Sequence, residues 1–140
     1  MRAEFTDNLI TGNELIDSQH EELINRINKL LDSCELGEGK LSAVKMLDYL
    51  AEYTETHFNA EENLQKEVCY PDYEKHHAKH EEFKQTIKEL TEMLQEEEGP
   101  SEAFVEKVEE NVVQWFYRHI SSFDRSVAEY IHMRENGGRL

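Results

Sequence analysis

Histidines and carboxylates recur in this sequence at spacings that suit metal binding. His57 and Glu61 form an HxxxE pattern, and His76 and His80 form an HxxxH pattern. Residues four apart in an α-helix lie about 40° apart around its axis and one turn along it, so each pair presents two ligands on one helix face. Pro71 lies between the pairs, and proline breaks a helix interior. The pairs are therefore expected on two consecutive helices that place them opposite each other.

Apolar residues that recur every three or four positions predict the helices that carry such ligands. His20 occupies an apolar position of an earlier helix, and His119 ends the apolar stripe of a later one. Asp17 or Ser18 is predicted to cap the first helix. The predicted elements are an N-terminal arm at 1–16, bundle helices at 17–36, 42–69, 72–97 and 101–119, and a short C-terminal helix at 125–133. Three apolar side chains are expected to anchor the arm: Phe5, Leu9 and Ile10.

Asp124 follows His119 at a spacing of five residues. In an unbroken α-helix this spacing would turn the two side chains about 140° apart. If both point inward, the helix must break between them. Four long helices with short connections predict an all-α fold, an up-down-up-down antiparallel four-helix bundle, and 140 residues suffice for one such domain.

The charge balance argues against two classes of partner. The chain has 15 basic and 31 acidic residues and a net charge of −16, which repels nucleic-acid phosphates and anionic membranes. No apolar run has the length of a membrane span or a signal peptide, so we expect a cytoplasmic protein, and a monomer. Cys34 and Cys69 lack CxxC spacing and are predicted to be free thiols rather than a disulfide.

Polar residues with metal-binding side chains lie on the inward stripes of all four predicted helices. The candidate ligands are His20, His57, Glu61, His76, His80, His119 and Asp124. Each buried polar group without a partner costs about 1 to 3 kcal/mol, and a shared metal site removes that cost. The set exceeds what one tetrahedral zinc ion needs. Two octahedral ions with a bridging solvent oxygen would use all seven ligands and leave one coordination position open. Nitrogen and carboxylate ligands with an open position favour iron over manganese.

The motifs HxxxE, YPxxxxHxxxH and HIxxxD, preceded by DxQH at 17–20, resemble those of the hemerythrin family, and most closely its single-domain bacterial members. The resemblance extends from about Thr11 to Arg125. It implies two iron ions joined by an oxo or hydroxo bridge and reversible O2 binding, in which the diferrous pair becomes diferric. The implied ligands are His76, His80 and His119 for one iron, His20 and His57 for the other, and Glu61 and Asp124 as bridges. The implied lining of the oxygen pocket is Leu23, Phe58, Trp115 and Ile120.

Gln65 departs from the family pattern, which has methionine four residues after the bridging glutamate. Its amide either lies beside the oxygen pocket, as a further candidate for the lining, or points along the helix interface to a backbone group. The resemblance implies oxygen storage, transport or delivery without catalysis. Two alternatives use the same site: a di-iron enzyme, such as a peroxidase or nitric oxide reductase, and an oxygen or redox sensor.

Overall fold

Four helical stretches make up most of the chain in this computed structural model, which describes residues 2–135. They are α1 (Glu14–Glu35), α2 (Lys40–Glu67), α3 (Tyr73–Glu96) and a last helical rod at 102–135. α1 packs against α2, α2 against α3, and α3 against the rod. The connections 36–39, 68–72 and 97–101 are so short that consecutive helices must run antiparallel. The predicted all-α four-helix bundle is confirmed.

The last rod changes its hydrogen bonding twice without leaving the helical path. It comprises α4 (Glu102–Val108), a π-helical segment (Glu109–Gln114), α5 (Trp115–His119), a second π-helical segment (Ile120–Asp124) and α6 (Arg125–Glu135). The predicted short C-terminal helix corresponds to α6. The predicted break between His119 and Asp124 is corrected, because a π-helical segment takes its place. Its i→i+5 bonds accommodate one extra residue per turn, so a spacing of five returns to the same face.

The first helix begins earlier than the sequence predicts. Its N-cap is Asn13, whose side chain accepts a hydrogen bond from the Ile16 amide at 3.0 Å. Asp17, the predicted cap, lies inside α1 and accepts hydrogen bonds from the Thr11 and Gly12 amides at 2.8 and 3.1 Å. Its carboxylate therefore fastens the end of the arm to the helix instead of capping it.

The N-terminal arm packs against the bundle through a partly different set of residues from the predicted one. Leu9 is buried and Phe5 packs on the core, as expected. Ile10, however, is 48% exposed, so its predicted anchoring role is wrong. Ala3 is buried instead, because the Asn28 side chain accepts from its amide at 2.7 Å and donates to its carbonyl at 2.9 Å.

The turn between α2 and α3 aligns the two ligand-bearing helices. The Tyr70 amide donates to the Gln65 carbonyl at 2.8 Å and the Cys69 amide to the Lys66 carbonyl at 3.2 Å, the two bonds of a Schellman motif. Cys69 has a φ of 55°, the left-handed conformation that the motif requires after the last helical residue. Cys69 and Cys34 are both free thiols, as predicted.

A continuous apolar core lies between the helices and includes the fully buried Leu23, Leu50, Phe83 and Val112. A smaller cluster packs α6 against the start of α1 and includes Ile16, Val127 and Ile131. Across residues 2–135, none of the helices combines the length and the apolar character needed to cross a membrane.

Candidate metal centre

All seven predicted ligands converge inside the bundle, where their exposures are between 0 and 3%. They form two overlapping groups in which one potential ligand atom from each residue lies within 4.8 Å of the others. The first group contains three histidines and the second contains two, and both include Glu61 and Asp124. The members are Glu61, His76, His80, His119 and Asp124 in the first group, and His20, His57, Glu61 and Asp124 in the second.

The Nε2 atoms of four histidines point at the two carboxylates. His20 Nε2 is 2.7 Å from Asp124 Oδ2, and His76 Nε2 is 2.8 Å from Asp124 Oδ1. The Glu61 carboxylate has His76 Nε2 at 3.1 Å and His80 Nε2 at 3.2 Å from its Oε1 atom. His119 Nε2 lies 3.1 Å from Asp124 Oδ1. Six side chains thus direct their lone pairs or protons into one small volume.

Many of these close approaches lack hydrogen-bond geometry. Within residues 2–135, both oxygens of Glu61, both oxygens of Asp124, both nitrogens of His20 and the Nε2 atoms of His57 and His80 have no hydrogen-bond partner. His76 and His119 bring their Nε2 atoms to 2.9 Å, although only one of the two can donate. Buried polar groups are normally paired. Lone pairs that converge without pairing fit metal ions held between them.

Protonation of the cluster without metal is set by burial and by mutual charge. Burial, together with the charge of Asp124, raises the pKa of Glu61 well above its ordinary value. Burial also disfavours the charged form of Asp124. The interactions with His119 and His20 outweigh this effect and hold the pKa of the Asp124 carboxyl well below its ordinary value. Burial disfavours the charged form of His76, yet Asp124 and Glu61 raise its pKa to about 9. A metal ion would therefore displace protons from Glu61 and His76.

Three of the five histidines have a polar partner on the ring nitrogen that faces away from the cluster. His57 Nδ1 lies 2.6 Å from Gln19 Oε1, and His80 Nδ1 lies 2.7 Å from Glu62 Oε2. A proton on Nδ1 donates to each of these oxygens and leaves Nε2 free as a metal ligand. Glu62 also accepts from His77 Nδ1 at 2.8 Å and from the Tyr73 hydroxyl at 3.1 Å.

Gln19 and Glu62 are not among the predicted site residues, although each stands next to a predicted ligand, His20 or Glu61. The signal was their position: a residue adjacent to a ligand on the helix is turned about 100° away. From there a long side chain reaches a histidine of the neighbouring helix. His77 has a side chain that is 39% exposed, and its Nδ1 atom lies 2.8 Å from Glu62 Oε1.

Gln65 is fully buried and contacts His76, with its Nε2 atom 2.9 Å from His76 Nδ1. Its Oε1 atom has no hydrogen-bond partner among the described residues. If His76 binds metal through Nε2, its Nδ1 carries the proton, and the amide turns over to accept that proton through Oε1. Gln65 thus lies behind a histidine of the three-histidine group, and its partner is a ring nitrogen and not a backbone group.

The remaining predicted pocket residues lie at different depths. Leu23, Phe58 and Ile120 are fully buried, and the Phe58 ring stacks on the His80 ring at 3.8 Å between centroids. Trp115 is 8% exposed and stacks on the outer side of His119 at 4.5 Å. Phe116, which the sequence analysis did not select, lies 6.1 Å from the His20 ring in an edge-on arrangement.

A four-helix bundle that encloses five histidines and two shared carboxylates has the features of a non-haem di-iron protein. Residues 11–131 match the family described as the Hemerythrin HHE cation binding domain. The chain therefore belongs to the hemerythrin family.

Comparisons with individual proteins agree with this assignment. The chain is 30% identical to a bacteriohemerythrin of Aquifex aeolicus over 120 residues, which cover 86% of this chain and 90% of that protein. It is 27% identical to a bacteriohemerythrin of Pseudomonas aeruginosa, in an alignment that covers 96% of this chain and 90% of the relative. A crystal structure of wild-type hemerythrin has the same fold, with a TM-score of 0.78 and 24% identity over 91% of this chain and 96% of that one.

Proposed function

We propose that this chain holds two iron ions with the seven buried residues and binds dioxygen reversibly. The proposal is carried by one observation: two potential metal groups share Glu61 and Asp124 but contain unequal numbers of histidines. Shared carboxylates suit a bridged pair of ions. The group with His20 and His57 offers one ligand fewer, which would leave a coordination position for a small molecule. A ferrous pair, when bound, supplies the two electrons that reversible dioxygen binding requires.

The polar partners of the histidines would hold the ligand rings ready for metal. Gln19 and Glu62 accept the outer protons of His57 and His80 and so fix which nitrogen faces the cluster. Glu62 is itself held by Tyr73 and His77, so its carboxylate cannot turn freely. These contacts keep the rings from rotating when ligands exchange.

Apolar side chains would exclude water and protons from the centre. Leu23 follows His20 by one turn, and Phe58 and Ile120 each follow a candidate ligand directly; all three are fully buried. Phe116 closes the space edge-on to His20. Because reduced oxygen departs more easily when it is protonated, a dry, apolar wall favours reversible binding over release of peroxide.

The proposed role is storage, transport or delivery of oxygen, without catalysis. A peroxidase or nitric oxide reductase at this site would need a proton donor beside the open position. Gln65, the polar candidate for the lining of the oxygen pocket, contacts His76 of the other group. A sensor would need a partner surface that responds to the centre.

We also propose that the chain acts as a cytoplasmic monomer. The large apolar side chains that are exposed among the described residues are Ile10, Leu15, Leu36 and Leu41. The first two lie near the start of α1 and the last two near its end, about 30 Å apart at 1.5 Å per residue. These four described residues therefore do not form one apolar patch of the size that is typical of stable dimers. Light scattering should give the 16.5 kDa mass of one chain.

An optical titration tests the function. The iron-loaded protein is reduced without air, exposed to oxygen, and then flushed with argon. We expect an oxygen-dependent charge-transfer band that appears, disappears on flushing, and returns through several cycles. A band that forms once and decays to the diferric state at the first exposure would favour the enzyme alternative, and one zinc ion per chain would reject the di-iron proposal.

A further inference from the structure

His119 is the candidate ligand that comes nearest to the protein surface. Its exposure is 3%, whereas His20, His57, His76 and His80 are fully buried. Its ring lies between two aromatic rings that are almost parallel to it: Trp115 at 4.5 Å and 11°, and Phe123 at 5.4 Å and 14°. An electron that moves between the centre and the outside can pass here through stacked aromatic rings.

A surface cavity of about 330 Å³ opens at this point between α3 and the last rod, and His119 is part of its lining. This volume is at the lower end of small-molecule sites, about 300 to 1,000 Å³. Trp115 and Phe123 line it with aromatic surface, and Lys79 and Arg118 add two positive charges. The indole is fixed because its Nε1 donates to Glu82 Oε1 at 3.0 Å.

Charge restricts the kind of molecule that can use this cavity. The chain as a whole carries −16, so a large acidic partner is repelled by most of its surface. A small anion inside the cavity responds mainly to charges within a Debye length of about 8 Å, which include Lys79, Arg118 and the compensating Glu82. Lys79 Nζ lies 3.4 Å from Glu82 Oε2 and 5.9 Å from the Phe123 ring centroid, so a phosphate on a ring-bound ligand would compete with Glu82 for it.

We propose that this cavity binds a reduced planar aromatic electron donor that carries a phosphate, with the chemistry of dihydroflavin mononucleotide, and passes its electrons through Trp115 and His119 to the di-iron centre. The proposal rests on the function proposed above, because a carrier that has oxidised to the diferric state must be reduced before it binds oxygen again. The dihydroflavin breaks two N–H bonds and loses two electrons and two protons. The electrons reduce two ferric ions to ferrous ions, and the protons leave to solvent at the cavity mouth.

The binding test uses flavin mononucleotide as the probe and its fluorescence anisotropy as the readout, with iron-loaded protein. Lys79→Glu with Arg118→Glu reverses the two charges at the cavity. Lys45→Glu with Arg134→Glu changes the net charge equally at exposed positions on other helices. We expect saturable binding by the wild type and the control pair, and affinity lower by at least about tenfold in the cavity pair. Riboflavin, which lacks the phosphate, should also bind more weakly.

The kinetic test mixes the diferric protein with dihydroflavin mononucleotide without air and follows loss of the diferric spectrum. The rate should saturate with donor for the wild type and the control pair, while the cavity pair should need at least about tenfold more donor. The oxygen-dependent spectrum should be the same in all three proteins. Equal binding and rates in all three, rates that never saturate, or reduction only by a protein donor would overturn the proposal. If the iron centre itself fails to form, the anisotropy test still decides whether the cavity binds the probe.

Discussion

His76, a candidate ligand, and its neighbour His77 differ in the direction in which their imidazole rings point. The pair therefore allows a direct comparison. His76 is fully buried and places Nε2 2.8 Å from Asp124, whereas His77 is 39% exposed and bonds Glu62. His76→Ala should therefore lose most bound iron. His77→Ala should keep the wild-type iron content and spectrum, because Tyr73 and His80 still hold Glu62.

Iron per chain, measured after identical loading of both variants, checks this prediction. Loss of iron in the His77 variant together with retention in the His76 variant would show that the wrong face of α3 had been assigned to the metal.

Gln65 should tune the strength of iron binding through His76. Gln65→Met removes the polar partner of His76 Nδ1, and loss of such a partner lowers metal affinity by about 10- to 100-fold. Gln65→Glu keeps an acceptor at a similar length and should restore the affinity. The measurement is iron transfer to a competing chelator for the three proteins. Indistinguishable transfer from wild type and the methionine variant would mean that packing alone orients His76.

At the level of elements, the π-helical segment Ile120–Asp124 is what brings Asp124 to the same face as His119. The exposed Ser121 is the natural position to test this. Its deletion should let the segment become α-helical and place Asp124 four residues after His119, a spacing that keeps both side chains on one face. An alanine inserted after Ser121 should instead rotate everything after it by about 100°. In the insertion variant Asp124 would leave the cluster, and the buried side chains Val127 and Ile131 would leave their contacts.

The expected result of the insertion is less than about one iron per chain and a lower melting temperature, because Asp124 and part of the packing are lost together. The deletion should keep most of the iron. Ser121→Ala is the matched control: it removes only the hydroxyl, which donates to the Tyr117 carbonyl at 2.9 Å. Full iron content in the insertion variant, or loss of iron in the deletion variant, would exclude a role for the π-helical segment in placing Asp124.

The sequence was sufficient for the bundle and for the convergence of His57, Glu61, His76 and His80, because their four-residue spacing is a property of the α-helix alone. It also required a change in the helix between His119 and Asp124. It could not distinguish a break from a π-helical segment, because that choice depends on the packing of α6 against α1. The same limit applies to the start of α1, because Asn13 and Asp17 can both cap a helix. Which of them is the cap depends on the N-terminal arm, whose amides donate hydrogen bonds to Asp17.

Gln65 illustrates the corresponding limit at the site. Its helix face was predictable, but its partner was not. The nitrogen it meets belongs to the next helix, and its position depends on how the Schellman turn at Cys69 aligns α2 with α3. The roles of Gln19 and Glu62 depend on the same kind of contact between helices.

For the molecule as a whole, the buried centre links metal binding to folding stability and to pH. Without metal, His76 has a pKa raised to about 9 by Asp124 and Glu61, which outweigh the effect of burial. In the unfolded chain its pKa returns to about 6.5. Its stabilising contribution is thus complete below about pH 6.5 and is lost as pH rises through 9. The raised pKa of Glu61 acts in the same direction, although from a lower starting pH. Burial lowers the pKa values of His57, His80 and His119, and this effect makes stability rise with pH, but it is largely complete above the unfolded value of about 6.5.

We therefore expect the melting temperature of the metal-free protein to fall between pH 6.5 and 9. In the iron-loaded protein the metal would replace the proton on His76 Nε2, so this loss should be absent and the gap between the two melting curves should widen with pH. Thermal melts at several pH values check this, with metal-free His76→Gln as the control that lacks the titrating group. A metal-free melting temperature that stays constant or rises over this range, or equal curves with and without iron, would contradict the assignment of these seven buried residues to one metal centre.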